Sequence, residues 1–231
     1  MPILTILYHS FCHKTITTSS QAPDHLLPSS GRKAHPLRRQ AWIVARCPYA
    51  AMFVHEGIIP RDEWNAVQQE FARIKQYMEK HNLVKYGYGG DIRPFTPKII
   101  CGECGCIYGR KAHAGRESET YWQCNTRCFN GPKSCRGVNI KEKVIHRVFI
   151  EAWNTVVANQ ESLSKRWEEM EKAGTELEAV RARQMQSLVK NGPIRRIIPE
   201  LVMTVLESIT IKGNATFEIR FLDGTAFSIQ F

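Results

Sequence analysis

No apolar run in the 231-residue sequence is long enough to cross a bilayer as a helix, which takes about 20 consecutive apolar residues. The one apolar stretch near the start, residues 3–8, is short, lacks a basic leader and is followed by no clear small-residue cleavage site, so it is a poor secretory signal. No membrane partner is expected, and a reducing cytoplasm is the expected compartment. Periodicity is also missing from residues 1–53, which mix Thr17-Thr18-Ser19-Ser20, Pro28-Ser29-Ser30-Gly31 and Arg38-Arg39 without a sustained helical or strand repeat. That stretch is expected to be irregular or disordered. At 231 residues and 43% hydrophobic, the chain as a whole can build one ample domain or two or three small ones.

Cysteine is plentiful, with eight in the chain, and four of them follow a metal-ligand spacing. Cys101-x-x-Cys104 is followed after nineteen residues by Cys124 and after ten more by Cys135. Two such loops can face four sulfurs towards one point, and the glycines in Cys101-Gly102-Glu103-Cys104-Gly105 let the first loop curl. Without an export signal, a CxxC pair and a distant second pair argue for metal rather than disulfides. Four thiolates complete the tetrahedral shell of a zinc ion and leave no position for a water nucleophile, so a single Zn2+ here is expected to be structural. Cys106 and Cys128 are nearby spares, and Cys128 is an alternative to Cys135 as the fourth ligand.

Acidic residues are the minority, 22 against 32 Lys and Arg, for a net charge of +10. The imbalance is local. From Lys85 to Arg147 there are twelve Lys and Arg against five acids, whereas residues 148–231 are close to balanced. A basic surplus concentrated around a small metal module is the footprint of a polyanion binder, most often nucleic acid; a solvated basic face is the plain alternative.

Along the chain, Pro60 with Asp62 and Glu63 reads as a helix start, and Trp64, Val67, Phe71, Ile74 and Met78 form an apolar stripe expected to be core. Glycines at 87, 89 and 90 mark a loop leading to a strand at 95–100. Residues 107–110 and 119–123 read as a hairpin joined by a basic loop at 111–116, with a core so small that zinc must supply much of its folding energy. From Lys141, the residues Phe149, Trp153, Val156, Leu163, Trp167, Met170 and Leu177 recur as in a coiled coil, although Gln160, Gly174, Arg181 and Gln184 interrupt the seam. Asn191-Gly192-Pro193 stops this long helix. A short helix at 199–207 and an alternating meander with turns at Gly213-Asn214 and Asp223-Gly224 complete the chain. The expected class is α+β: a small zinc β-ribbon flanked by an amphipathic helix and a long helix, with a C-terminal antiparallel meander. Its segments are 1–53, 54–93, 94–140, 141–192 and 193–231.

Taken together, these segments resemble the large serine recombinases, enzymes of phage integration and mobile-element transposition. The matching text is Glu56-Gly57-Ile58-Ile59-Pro60-Arg61-Asp62-Glu63-Trp64, then Lys98 to Gly105, Tyr121-Trp122-Gln123-Cys124, and Phe217 to Thr225. The resemblance covers residues 54–231. It implies that 54–93 is the tail of a recombinase-type DNA-binding domain and 94–140 a zinc ribbon with Cys101, Cys104, Cys124 and Cys135 as ligands. It also implies double-stranded DNA as partner, a bacterial-type cytoplasm and association with the nucleoid. In the family a coiled coil projecting from the ribbon controls synapsis; here the helical segment before Pro193 is short for the usual antiparallel hairpin. An intact recombinase, or a second copy bound through the long helix, is a further partner expectation.

The family's serine nucleophile and arginine cluster have no counterpart: Ser10, Ser19, Ser20, Ser29 and Ser30 lie in unpatterned sequence. The chain is expected to cleave no DNA alone. Charge and placement nominate Arg110, Lys111, Arg116, Arg127, Lys133 and Arg136 for DNA contact. The leading expectation is DNA binding by the noncatalytic part of a site-specific recombinase. Two alternatives are a zinc-ribbon protein-interaction module and a nonfunctional remnant.

Overall fold

The computed structural model describes residues 59–83, 86, 93–113, 116–213 and 216–230, without the side chains of 113 and 116–119. The expectations for residues 1–53 and for the glycines at 87–90 fall outside these residues. Helix α1 spans Arg61–Lys80, with Asp62 and Glu63 in its first turn and Lys80 in its last, each charge opposing the helix dipole. Its buried face matches the expected stripe only in part, fully at Ile74 and partly at Val67 and Met78. Ala66, Ile74 and Tyr77 are buried, whereas Trp64 and Phe71 are 46% and 48% exposed. The helix turns Asn65, Gln69 and Glu70 inward because another helix supplies polar partners for them, and Arg73 pairs with Glu70 on the same helix, so hydrogen bonding shifts the face that apolarity alone would assign.

Two sheets follow. Strand β1 (Ile99–Cys101) pairs in parallel with β5 (Leu206–Lys212), which runs antiparallel to β6 (Thr216–Phe221), itself antiparallel to β7 (Ala226–Gln230). The register places Ile99 opposite Ile209 and Cys101 opposite Ile211. Phe217, Ile219 and Phe221 alternate inward along β6, as strand geometry requires. The second sheet orders β2 (Tyr108–His113), β3 (Arg116–Cys124) and the two-residue β4 (Ile140–Lys141), with a helix α2 (Asn125–Asn130) leaving β3 directly after Cys124.

The ribbon does not stand on a core of its own. Its buried residues Cys101, Tyr108, Trp122, Cys124 and Ile140 belong to the same cluster as Phe149, Trp153, Ile209 and Phe221. Helix α3 (Glu142–Ala158) covers the larger sheet, where Phe149 and Trp153 each lie with ring centroids 6.3 Å from Phe221.

The expected long helix is three helices. It breaks at Asn159 and again at Gly174, giving α4 (Gln160–Ala173) and α5 (Glu176–Val189) after α3. Thr175 caps α5 in a reciprocal capping box with Glu178, which fixes the new start. Helices α4 and α5 pack against each other as a short hairpin, and the seam residues Phe149, Trp153, Val156 and Trp167 are buried inside the chain. The hairpin is tied down at both ends of its contacts. Trp167 Nε1 donates to Asp223 Oδ2 at 2.8 Å and Arg181 Nη1 to the Leu222 carbonyl at 3.1 Å, both in the β6–β7 turn. On the other side Gln69 Nε2 donates to Glu176 at 2.6 Å and Arg181 Nη2 to Glu70 at 2.6 Å. Helix α6 (Pro199–Val205) leads into β5. Among the described residues no helix is long and apolar enough to cross a membrane.

Candidate metal centre and nucleic-acid face

Cys101 ends β1, and the chain returns at once: Gly105 N–H donates to the Cys101 carbonyl and Cys101 N–H to the Cys106 carbonyl, each at 2.8 Å. Gly105 takes φ +72°, a left-handed conformation that a side chain would resist. This tight turn brings Cys104 beside Cys101. Cys124 ends β3 where α2 begins, and Cys135 follows a loop held by Ser134, whose Oγ donates to the carbonyls of Thr126 (3.0 Å) and Gly131 (2.6 Å).

The sulfurs of Cys101, Cys104, Cys124 and Cys135 all lie within 4.8 Å of one another. Cys101 and Cys135 sulfurs are 3.5 Å apart, Cys104 and Cys124 3.4 Å, and Cys124 and Cys135 3.8 Å. Four thiolates about 2.3 Å from a tetrahedral zinc would stand about 3.8 Å apart, so this donor set fits zinc. Cys106 and Cys128 are half-buried and lie outside the group. Burial pushes the Cys135 thiol up to about 12 and the Cys124 thiol up as well. Burial also opposes ionisation of Cys104, but hydrogen bonds, the Thr126 hydroxyl's foremost, bring it down to about 7. Bound zinc would hold all four as thiolates, with proton release accompanying binding.

The surrounding shell is built to aim the sulfurs. Gly137 N–H points to Cys135 Sγ at 3.3 Å. A Cβ on Gly137 would meet Cys101 Sγ at 2.9 Å and the Tyr108 hydroxyl at 3.1 Å, so only glycine lets the chain pass here. Arg127 donates to the carbonyls of Cys135 (3.5 Å) and Gly137 (3.3 Å), bracing the second loop from within. His81, buried at the end of α1, donates from Nδ1 to the Gly105 carbonyl at 2.7 Å and so joins the helix to the first loop. Sequence reasoning had no signal for His81 or Gly137, because their partners are backbone and sulfur atoms distant along the chain.

Of the six nominated cations, Arg110 forms a two-pronged ion pair with Glu142 at 2.6 and 2.9 Å, and Arg127 is occupied as described. Lys133 and Arg136 are exposed on the second loop. Lys111 is half-buried, with Nζ 5.8 Å from the centre of the Phe129 ring. Arg116 opens β3, and its side chain lies outside the described residues.

Residues 94–154 match the family of the recombinase zinc beta ribbon domain. That segment is about a quarter of the chain, and the likeness is to the domain alone. The match begins at Pro94, just before β1, contains all four clustered cysteines and runs into α3, so the recombinase resemblance rests on the ribbon itself. No curated protein matches the chain in sequence. A solved structure described as an LSR–DNA complex is similar at 16% identity, covering 73% of this chain and 66% of that one, with a TM-score of 0.38. This chain therefore spans just under two thirds of that chain's length.

Proposed function

We propose that this chain binds double-stranded DNA through its zinc ribbon, as the noncatalytic part of a site-specific serine recombinase system acting in phage integration or transposition. One structural zinc ion, held by Cys101, Cys104, Cys124 and Cys135, fixes the two loops that carry the exposed cations. The single observation that carries the reading is a recombinase zinc beta ribbon segment with a complete four-cysteine donor set inside the most basic part of the chain. Phosphate contacts come first from Lys133, Arg136 and Lys111, because Arg110 and Arg127 spend their hydrogen bonds inside the protein. The reading assigns no strand cleavage to these residues. Cleavage belongs to a catalytic recombinase domain acting with them, on DNA in the bacterial cytoplasm.

The test is elemental analysis and duplex binding on one purified sample. One zinc per chain with DNA binding that weakens in Lys133→Ala and Arg136→Ala supports the reading. Zinc without any DNA binding instead favours a protein-interaction ribbon or an inactive remnant.

A further inference from the structure

Phe129 is 77% exposed, the most exposed large hydrophobic side chain among the described residues, and it stands near the end of α2, in the loop between two cysteines of the cluster. That loop leaves β3 at Cys124 and returns at Cys135, so both ends are cysteines of the cluster. Ser134 ties its far side to Thr126, and Arg127 reaches across it to the carbonyls of Cys135 and Gly137. A frame fixed at so many points holds an aromatic ring in water, at a cost in apolar hydration that a cation–π contact offsets only in part. The surroundings of the ring are cationic. Lys111 Nζ lies 5.8 Å from its centre, and Lys133 is exposed further along the same loop. Lysine is depleted at protein–protein interfaces, whereas the groove of a duplex offers phosphates to the cations and an apolar base substituent to the ring.

We infer that Phe129 is a specificity-determining contact, packing against the C5-methyl group of a thymine in the major groove while Lys111 and Lys133 meet neighbouring phosphates. The geometry favours an edge contact with a methyl over a wedge between base pairs: stacking on both sides needs two free ring faces, and the Lys111 ammonium sits over one. This inference rests on the proposed DNA-binding reading.

The test uses the full zinc-loaded chain and a pool of randomised duplexes, from which the preferred sequence is selected and then resynthesised with each thymine in turn replaced by deoxyuridine. Wild-type protein is expected to lose about fourfold in affinity at one such position, the worth of one buried methyl. Phe129→Ala is expected to bind the thymine and deoxyuridine duplexes alike while keeping its zinc and the salt dependence of wild type, since an apolar contact releases no counterions. Equal affinity of wild type and Phe129→Ala, or a deoxyuridine penalty that survives in Phe129→Ala, overturns the inference and leaves DNA binding standing. Failure of wild type to bind the pool at all removes the DNA-binding reading and this contact with it.

Discussion

Spacing favoured Cys135 as the fourth ligand with Cys128 as the alternative, and the fold separates them through where each backbone goes. Cys128 lies on α2 and outside the four-sulfur group, while Cys135 follows the loop that Ser134 and Arg127 brace. Cys135→Ser is therefore expected to abolish stoichiometric zinc binding and Cys128→Ser to leave it intact, as elemental analysis of the two variants would show. Gly137 is the sharper probe of the surrounding shell. Its substitution by Ala forces a zinc ligand or Tyr108 to move, and zinc affinity measured by chelator competition should fall roughly 10- to 100-fold. Nothing in the sequence around Gly137 announces this, since the close approach is to Cys101, far away along the chain.

At the scale of elements, periodicity was a good guide to where helices are and a poor one to which face they bury. The stripe Trp64, Val67, Phe71 marked α1 correctly as a helix, but Glu176 and Arg181 on α5 draw the polar face of α1 inward. The breaks at Asn159 and Gly174 were legible only through the heptad flaws at Gln160 and Gly174, because the partners that hold the hairpin, Asp223 and Leu222, come from the β6–β7 turn. That turn itself was plain from Asp223-Gly224, where glycine takes φ +83°. Lys98 was read simply as part of a strand. It is buried, and its Nζ lies within hydrogen-bond reach of the carbonyls of Val202 (3.2 Å), Met203 (3.0 Å) and Leu206 (2.6 Å), the orphan acceptors at the end of α6. Lys98→Met should lower stability by about 1–3 kcal/mol in denaturant titrations by leaving those carbonyls unpaired. Burial, then the nearby Arg73 charge, pushes Lys98 down to about 7, against the opposing carboxylates of Glu70 and Glu207. Between pH 7 and the ordinary lysine range the unfolded chain thus holds a proton that the folded chain has released. Stability relative to Lys98→Met should rise with pH across that window, and a flat difference would contradict this ionisation.

Over the whole molecule, the four-cysteine spacing and the basic segment were legible because both are written locally. The sharing of one core between ribbon and C-terminal sheet was not, because β1 meets β5 more than a hundred residues later in the chain. This sharing changes what zinc is expected to do. An isolated ribbon would unfold without metal, but here Cys101, Cys124 and Cys135 pack in the same cluster as Phe149, Ile209 and Phe221. Chelation should therefore lower Tm and free the two loops while most helical signal in circular dichroism survives. The central claim is that these zinc-framed loops bind duplex DNA through their cations, and its most direct test is the affinity of the zinc-loaded chain for duplex across a salt series. The account predicts a linear fall of log affinity with log salt, with a slope shallower by about 1 in Lys133→Ala or Arg136→Ala, and loss of binding when zinc is stripped. Affinity that does not change with salt, or that persists undiminished without zinc, would contradict it.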